Sequence, residues 1–352
     1  MSLKKGMISK REQQVIDYIK ENKGSSSKDI FENSGVSISY ATLKRTLTKL
    51  LSDNYVVSEG QGKSTKYFLS TSFKLIQPID IDKYYENEID ERQIKEVFNF
   101  KLVNETLRNN CVFTENELNK LNLLQKEYEA NIQNLKPADY QKELERLAID
   151  LSWKSSQIEG NTYSLLETER LLKEKQTASG KTKEEAVMLL NHKDTLDFII
   201  ENKDYLIPLT VSKIEDIHHI LTKELGVERN LRKRRVGISG TNYKPLDNEF
   251  QILEALKDSC KLINNKTNIF EKALLTLTLI SYIQPFMDGN KRTARIVSNA
   301  ILINYNYCPL SFRTVDSIDY KKAMLLFYEQ NNISNFKNIF IEQFEFAVKT
   351  YF

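Results

Sequence analysis

The sequence predicts a mainly helical protein of more than one domain. Three observations carry this. Glycine and proline number only 11 and 6 in 352 residues, so little in the chain breaks a helix. Apolar residues recur at helical spacing through most segments. The chain is also longer than one hydrophobic core usually organises. Apolar and charged residues make up 40% and 28%, the proportions of a soluble globular protein. The longest apolar run, Ala273 to Ile283, is short and broken by Thr and Ser, so no membrane partner is expected. No apolar stretch follows Lys4 and Lys5, so no signal peptide is read, and a cytoplasmic location is expected. Cys111, Cys260 and Cys308 lie far apart and lack histidines at zinc-site spacing. The net charge of +3 identifies no partner by itself; its distribution says more.

Residues 1–72 read as one unit. Ser9 is placed to cap a helix running to about Asn22, with Val15, Ile16 and Ile19 on its inner face. A short helix from Ser27 to Asn33 ends at Gly35, and a third runs from Ala41 to Leu51. Tyr55-Val56-Val57 and Lys66-Tyr67-Phe68-Leu69 flank a Gly-rich turn, the pattern of a β-hairpin. Three helices followed by a hairpin resemble a winged helix-turn-helix domain. Lys44, Arg45, Lys49, Lys63 and Lys66 outnumber Asp53 and Glu59 across the third helix and wing, which points to duplex DNA. A solvated helix face on a domain used for protein contacts is the alternative, since winged helices serve both purposes.

An acidic stretch from Pro78 to Asp90 opens a helical connector, taken as residues 73–136. Lys136-Pro137 marks the start of a third unit, residues 137–352. Its strongest signal is Gln284-Pro-Phe-Met-Asp-Gly-Asn-Lys-Arg-Thr-Ala-Arg295, a loop leading into a helix. Gly289 permits close backbone approach, and backbone N–H groups at a helix N-terminus make an anion site. Arg292 and Arg295 are three residues apart, on neighbouring positions of the first turns. One carboxylate, Asp288, completes a set suited to a polyphosphate and a divalent metal.

This segment resembles the signature of the Fic family, His-x-Phe-x-Asp/Glu-Gly-Asn-Gly/Lys-Arg-x-x-Arg. Phe286, Asp288, Gly289, Asn290, Lys291, Arg292 and Arg295 all match; Gln284 stands where the histidine belongs. The resemblance covers roughly Pro137 to Phe352. It implies a helical Fic domain with a β-hairpin flap, acting as a protein adenylyltransferase that moves AMP from ATP to a Ser, Thr or Tyr hydroxyl. It implies Mg²⁺ held by Asp288, phosphates held by Gly289, Asn290, Lys291, Arg292 and Arg295, and a general base at position 284. Two further segments fit. Ser155-Ser-Gln-Ile-Glu159-Gly160 is similar to the family's inhibitory helix, here placed within 150–161, in which Glu159 would pair with Arg295 and exclude the γ-phosphate. Val236-Gly237-Ile238-Ser239-Gly240 is similar to the flap that docks a target segment by backbone pairing. The basic run Arg229 to Arg235 ahead of it reads as a solvated loop edge, and His192, His218 and His219 read as structural.

A glutamine amide carries no proton away, and losing a general base costs about 10²- to 10⁴-fold. The expectation is therefore a nucleotide-binding, autoinhibited form in which transfer is disabled or strongly impaired. The alternative is a DNA-binding transcriptional regulator whose Fic portion senses nucleotide without catalysis. Related enzymes use other diphosphate-containing donors, and the intact Arg292 and Arg295 argue for a triphosphate. The resemblance implies as partners a target protein, or the chain itself as acceptor, and a homodimer, because relief of inhibition in this family can depend on assembly.

Overall fold

The computed structural model describes residues 8–352. Helices α1 (Lys10–Glu21), α2 (Ser27–Asn33) and α3 (Tyr40–Ser52) precede strands β1 (Val56–Glu59) and β2 (Lys66–Leu69). The strands pair antiparallel, with Val56 opposite Leu69 and Glu59 opposite Lys66. Ser9, Ser26 and Ser39 cap the three helices through side-chain oxygens, satisfying backbone donors that would otherwise be orphaned. Val15, Ile16, Ile19, Ile30, Leu43, Leu47 and Leu50 close a core of their own beneath the hairpin. This is the expected winged helix, with each boundary within a residue or two of the sequence pattern.

Short turns α4 (Phe73–Ile76) and α5 (Ile81–Tyr84) lead out of it. A π-turn at Leu102–Thr106 and α6 (Leu107–Asn109) precede α7 (Glu115–Asn134). The 73–136 stretch is packed: Leu75, Ile81, Phe98, Leu102, Leu121 and Leu124 are buried in the large C-terminal core. The remaining helices are α8 (Pro137–Ile158), α9 (Leu165–Glu174), α10 (Lys183–Glu201), α11 (Val211–Thr222), α12 (Glu249–Asn265), α13 (Ile269–Ile283), α14 (Asn290–Asn304), α15 (Ser317–Gln330) and α16 (Ser334–Tyr351). Helix α13 is buried on every side from Phe270 onward, as a helix apolar all round must be. It packs along α14, and the loop between them is the Gln284–Gly289 segment, so that loop is anchored at both ends in the deepest part of the core.

The flap departs from expectation. Residues 231–243 form no strand, and the turn at Ser239-Gly240 joins two irregular arms. Lys244 alone makes a bridge, and its partner is Val97 of the preceding stretch. Two glycines and a run of cations give the arms little cross-strand side-chain pairing, the contact that stabilises a hairpin. Among the described residues, no helix is long and apolar enough to cross a membrane.

Candidate functional site

The loop after α13 begins with a left-handed residue. Gln284 has φ 51°, which breaks α13 and turns the chain toward α14. Such a conformation costs a non-glycine residue about 1–2 kcal/mol, and several contacts hold it. The Arg232 side chain donates from Nε to the Gln284 carbonyl at 2.6 Å, and the Arg232 backbone N–H donates to the Pro285 carbonyl at 3.0 Å. The Gln284 amide donates to the Ser281 carbonyl at 2.7 Å and accepts from Asn290 Nδ2 at 3.0 Å. Asn290 also bridges the Phe286 N–H and carbonyl, both at 2.8 Å, so the loop is laced to its own helix. Gln284 is thus buried with both amide functions committed.

Gly289 caps α14 with φ 78°. A Cβ there would sit 3.2 Å from Thr222 Cγ2 and 3.5 Å from the His218 ring, so only glycine fits without strain. His218 stacks on Phe286 at 3.7 Å between centroids, and its Nε2 lies 3.0 Å from the Asp288 carbonyl. That carbonyl can only accept, so Nε2 carries the proton. Burial pushes the ring down to about 4, which keeps it neutral at physiological pH.

Above this loop lies a cleft of about 360 Å³. Gln284, Asp288, Gly289, Asn290 and Lys291 line its floor, Val236 to Ser239 one wall, and Met324, Leu325 and Tyr328 of α15 the other. Glu159 enters from the end of α8. That helix stops at Ile158; Glu159 is its C-cap, and Gly160 at φ 103° turns the chain away. Glu159 accepts from Arg295 Nη2 at 2.9 Å and from Lys291 Nζ at 3.2 Å. Ser155 accepts from Arg295 through its hydroxyl and its carbonyl, each at 2.8 Å. Burial opposes ionisation of Glu159, but Arg295 and Lys291 outweigh it and hold the carboxyl down at about 2.

Ser155, Glu159, Lys291 and Arg295 therefore meet. The two arginines do not line the cleft: Arg295 is 0% and Arg292 1% exposed, beneath the floor. Arg292 donates Nη2 to Asp288 at 2.7 Å, while its Nε and Nη1 are buried without partners. Buried unpaired donors beside a helix N-terminus are what an anion would satisfy. The Asp288 carboxylate is two-thirds exposed on the cleft side. A single carboxylate is the protein contribution that Mg²⁺ usually needs, its other ligands being water and substrate phosphate. The residues present thus fit both groups, with Asp288 as the residue that would hold the metal.

Two contributors escaped the sequence reading. The run Arg229–Arg235 is not uniformly solvated: Arg232 is 1% exposed and grips Gln284, Pro285, Arg234 and Leu246. His218 lies under the loop. Nothing in the local sequence separates Arg232 from its solvated neighbours. His218 follows the apolar period of α11, which signals burial but not what it touches.

In the N-terminal unit, Lys44, Arg45 and Lys63 are exposed without an ion-pair partner among the described residues. Lys49 is bound to Glu12 at 2.5 Å and Lys66 to Asp29 at 3.6 Å, so these two positions are partly neutralised.

Fold and site together define a helical bundle built around an anion-receptive helix N-terminus, carried behind a winged helix. Residues 208–302 match the Fic/DOC family and residues 8–122 match the penicillinase repressor family. The chain is 31% identical over 199 residues to the protein adenylyltransferase Fic of Nematostella vectensis, covering 53% of this chain and 43% of that protein. It is 25% identical over 160 residues to protein adenylyltransferase fic-1 of Caenorhabditis elegans, covering 44% and 31%. The chain thus spans less than half the length of these curated relatives. A Fic domain containing signaling protein from Bacteroides thetaiotaomicron superposes with a TM-score of 0.56 at 21% identity, over 65% of this chain and 94% of that one. Fic-1 from C. elegans gives 0.57 at 17%, over 67% and 71%. The chain carries a Fic domain preceded by a winged-helix domain.

Proposed function

We propose that this chain binds ATP in the cleft above the Asp288–Arg295 segment and descends from protein adenylyltransferases, but transfers AMP poorly. The observation that carries this is the state of residue 284. An adenylyltransferase needs a group there to take the hydroxyl proton of its protein substrate; Gln284 has no basicity, and its amide is locked to Ser281 and Asn290. No histidine lines the cleft among the described residues: His218 lies behind the loop, its Nε2–H donating to the Asp288 carbonyl, and the two lining carboxylates are engaged, Glu159 by Arg295 and Lys291 and Asp288 by Arg292. Binding and chemistry are thereby separated. Gly289, Asn290 and Lys291 would cradle phosphate, Arg292 would supply donors from below, and Asp288 would hold the metal, which when bound would neutralise phosphate charge. Val236 to Gly240 would align the target segment. Glu159 occupies Arg295 and Lys291, cations that a γ-phosphate would engage, which supports an autoinhibited resting state.

Incubation with labelled ATP and a cell extract tests the reading. Nucleotide binding without robust transfer of label to protein is expected; efficient transfer would overturn it.

A second function has its own observation. The exposed, unpaired Lys44, Arg45 and Lys63 lie on the third helix and the wing, the two parts of a winged helix that meet a groove and phosphates. We infer that the N-terminal unit binds duplex DNA, with the Fic domain as its nucleotide-sensing companion. Binding that does not weaken as salt rises would count against it.

A further inference from the structure

The flap wall has an unusual support. Among the described residues, no main-chain hydrogen bond joins 233–243 to another segment. Its position depends on side chains, and the main clamp comes from the stretch that leaves the winged helix. Arg92 donates Nη2 to the Gly240 carbonyl at 2.9 Å and Nη1 to Glu329 at 3.2 Å. The guanidinium also lies over the Tyr85 ring, 5.0 Å from its centroid. The Arg92 side chain is 5% exposed, and Glu329 is 0% exposed with Tyr84 Oη donating to it at 2.6 Å. Glu329 follows Tyr328, which lines the cleft. One planar cation therefore ties the flap turn to the opposite wall.

The contacts around it point the same way. Asn242 donates to Asp90 at 2.8 Å, and the Lys244 N–H donates to the Glu96 carbonyl at 2.7 Å. On the other side, the Lys95 N–H donates to the Glu329 carbonyl at 2.8 Å and Gln330 donates to the Gln93 carbonyl at 2.6 Å. Residues 90–96 form a strap between α15 and the flap. Gly240, at φ 88°, turns so tightly that an added Cβ would sit 3.2 Å from Leu325 Cδ1, so the flap presses on α15 where Arg92 pins it. A buried ion pair adds little stability compared with apolar packing. Its value here is geometric, since a guanidinium presents its donors in one rigid planar fork while a lysine offers them from a single nitrogen on a flexible stem.

We propose that Arg92 is a positioning residue: it sets the height of the flap over the cleft and thereby the register in which a protein segment docks there. This rests on the proposed function for what the flap receives, though not for how the flap is held. Amide hydrogen exchange on the full chain, with Arg92→Ala and Arg92→Lys, separates the two. Both variants should speed exchange at the end of the flap, at Tyr243, whose N–H donates to Thr241 Oγ1, and Lys244, whose N–H donates to the Glu96 carbonyl, by about tenfold, the loss of one charged hydrogen bond, while Ile269–Ile283 exchanges as before. In a background carrying Gln284→His and Glu159→Gly they should raise KM for the protein acceptor with kcat little changed. Unchanged flap exchange, an equal rise across Ile269–Ile283, or a lysine variant indistinguishable from the parent would each overturn the proposal. Absence of transfer in that double-variant background would instead count against the proposed function, leaving the exchange result to decide the role of Arg92.

Discussion

The proposed loss of chemistry in the cleft turns on one side chain, at position 284. In a Glu159→Gly background, which frees Arg295 and Lys291, Gln284→His should raise AMP transfer by roughly 10²- to 10⁴-fold, read as label on an acceptor protein. His218 is a quieter single-residue effect. Its neutral ring carries the proton that binds the Asp288 carbonyl, and its folded pKa of about 4 lies below the ordinary 6.5. The unfolded chain therefore takes up a proton first as pH falls. Stability should be full above about 6.5 and decline toward 4, by on the order of 3 kcal/mol, as denaturant midpoints against pH would show. Replacing His218 by Gln should flatten that decline.

Element by element, the α13–loop–α14 unit is the most legible part of the chain. Residues 284–295 announced a loop entering a helix, with a permissive Gly289 and cations in the first turns; the left-handed cap at Gly289 and the ties made by Asn290 came from the structure. Gly289→Ala should cost about 1–2 kcal/mol of stability and weaken the proposed nucleotide binding, measured by titration with an ATP analogue, since the cap is the same backbone that would cradle phosphate. The Glu159 pairing with Arg295 was expected from the resemblance to the inhibitory helix, though α8 ends one residue before Glu159 and Ser155 joins the contact. The flap was not legible. A hairpin was expected, but its geometry comes from long-range contacts with Arg92 and Asp90, which local pattern does not encode. Arg232 was missed for the same reason: its burial follows from the loop folding back onto it.

For the whole molecule, the winged helix is continuous with the Fic-domain core. Phe73 belongs to the first core and Leu75 to the second. Asn332 donates to the Lys74 and Gln77 carbonyls at 3.1 and 2.8 Å, fastening that junction. The proposed DNA-binding surface is therefore carried by the same body as the proposed nucleotide site. Lys44→Ala and Arg45→Ala should each weaken binding to all duplexes about equally and lower the salt slope by roughly one. Lys49→Ala should affect DNA less and folding more, because it strands the nearly buried Glu12.

The Glu159 carboxylate has a second consequence. It is an ionic partner of an arginine that solvent does not reach, so opening the cleft also strands a charge in the protein interior. Such uncompensated charge costs on the order of 3 kcal/mol. Glu159→Gly should therefore melt at a lower temperature than the parent, and ATP should raise that melting point more than it raises the parent's, as a phosphate takes over the vacated role. The unlocked molecule becomes a fragile one whose lifetime depends on the nucleotide supply around it.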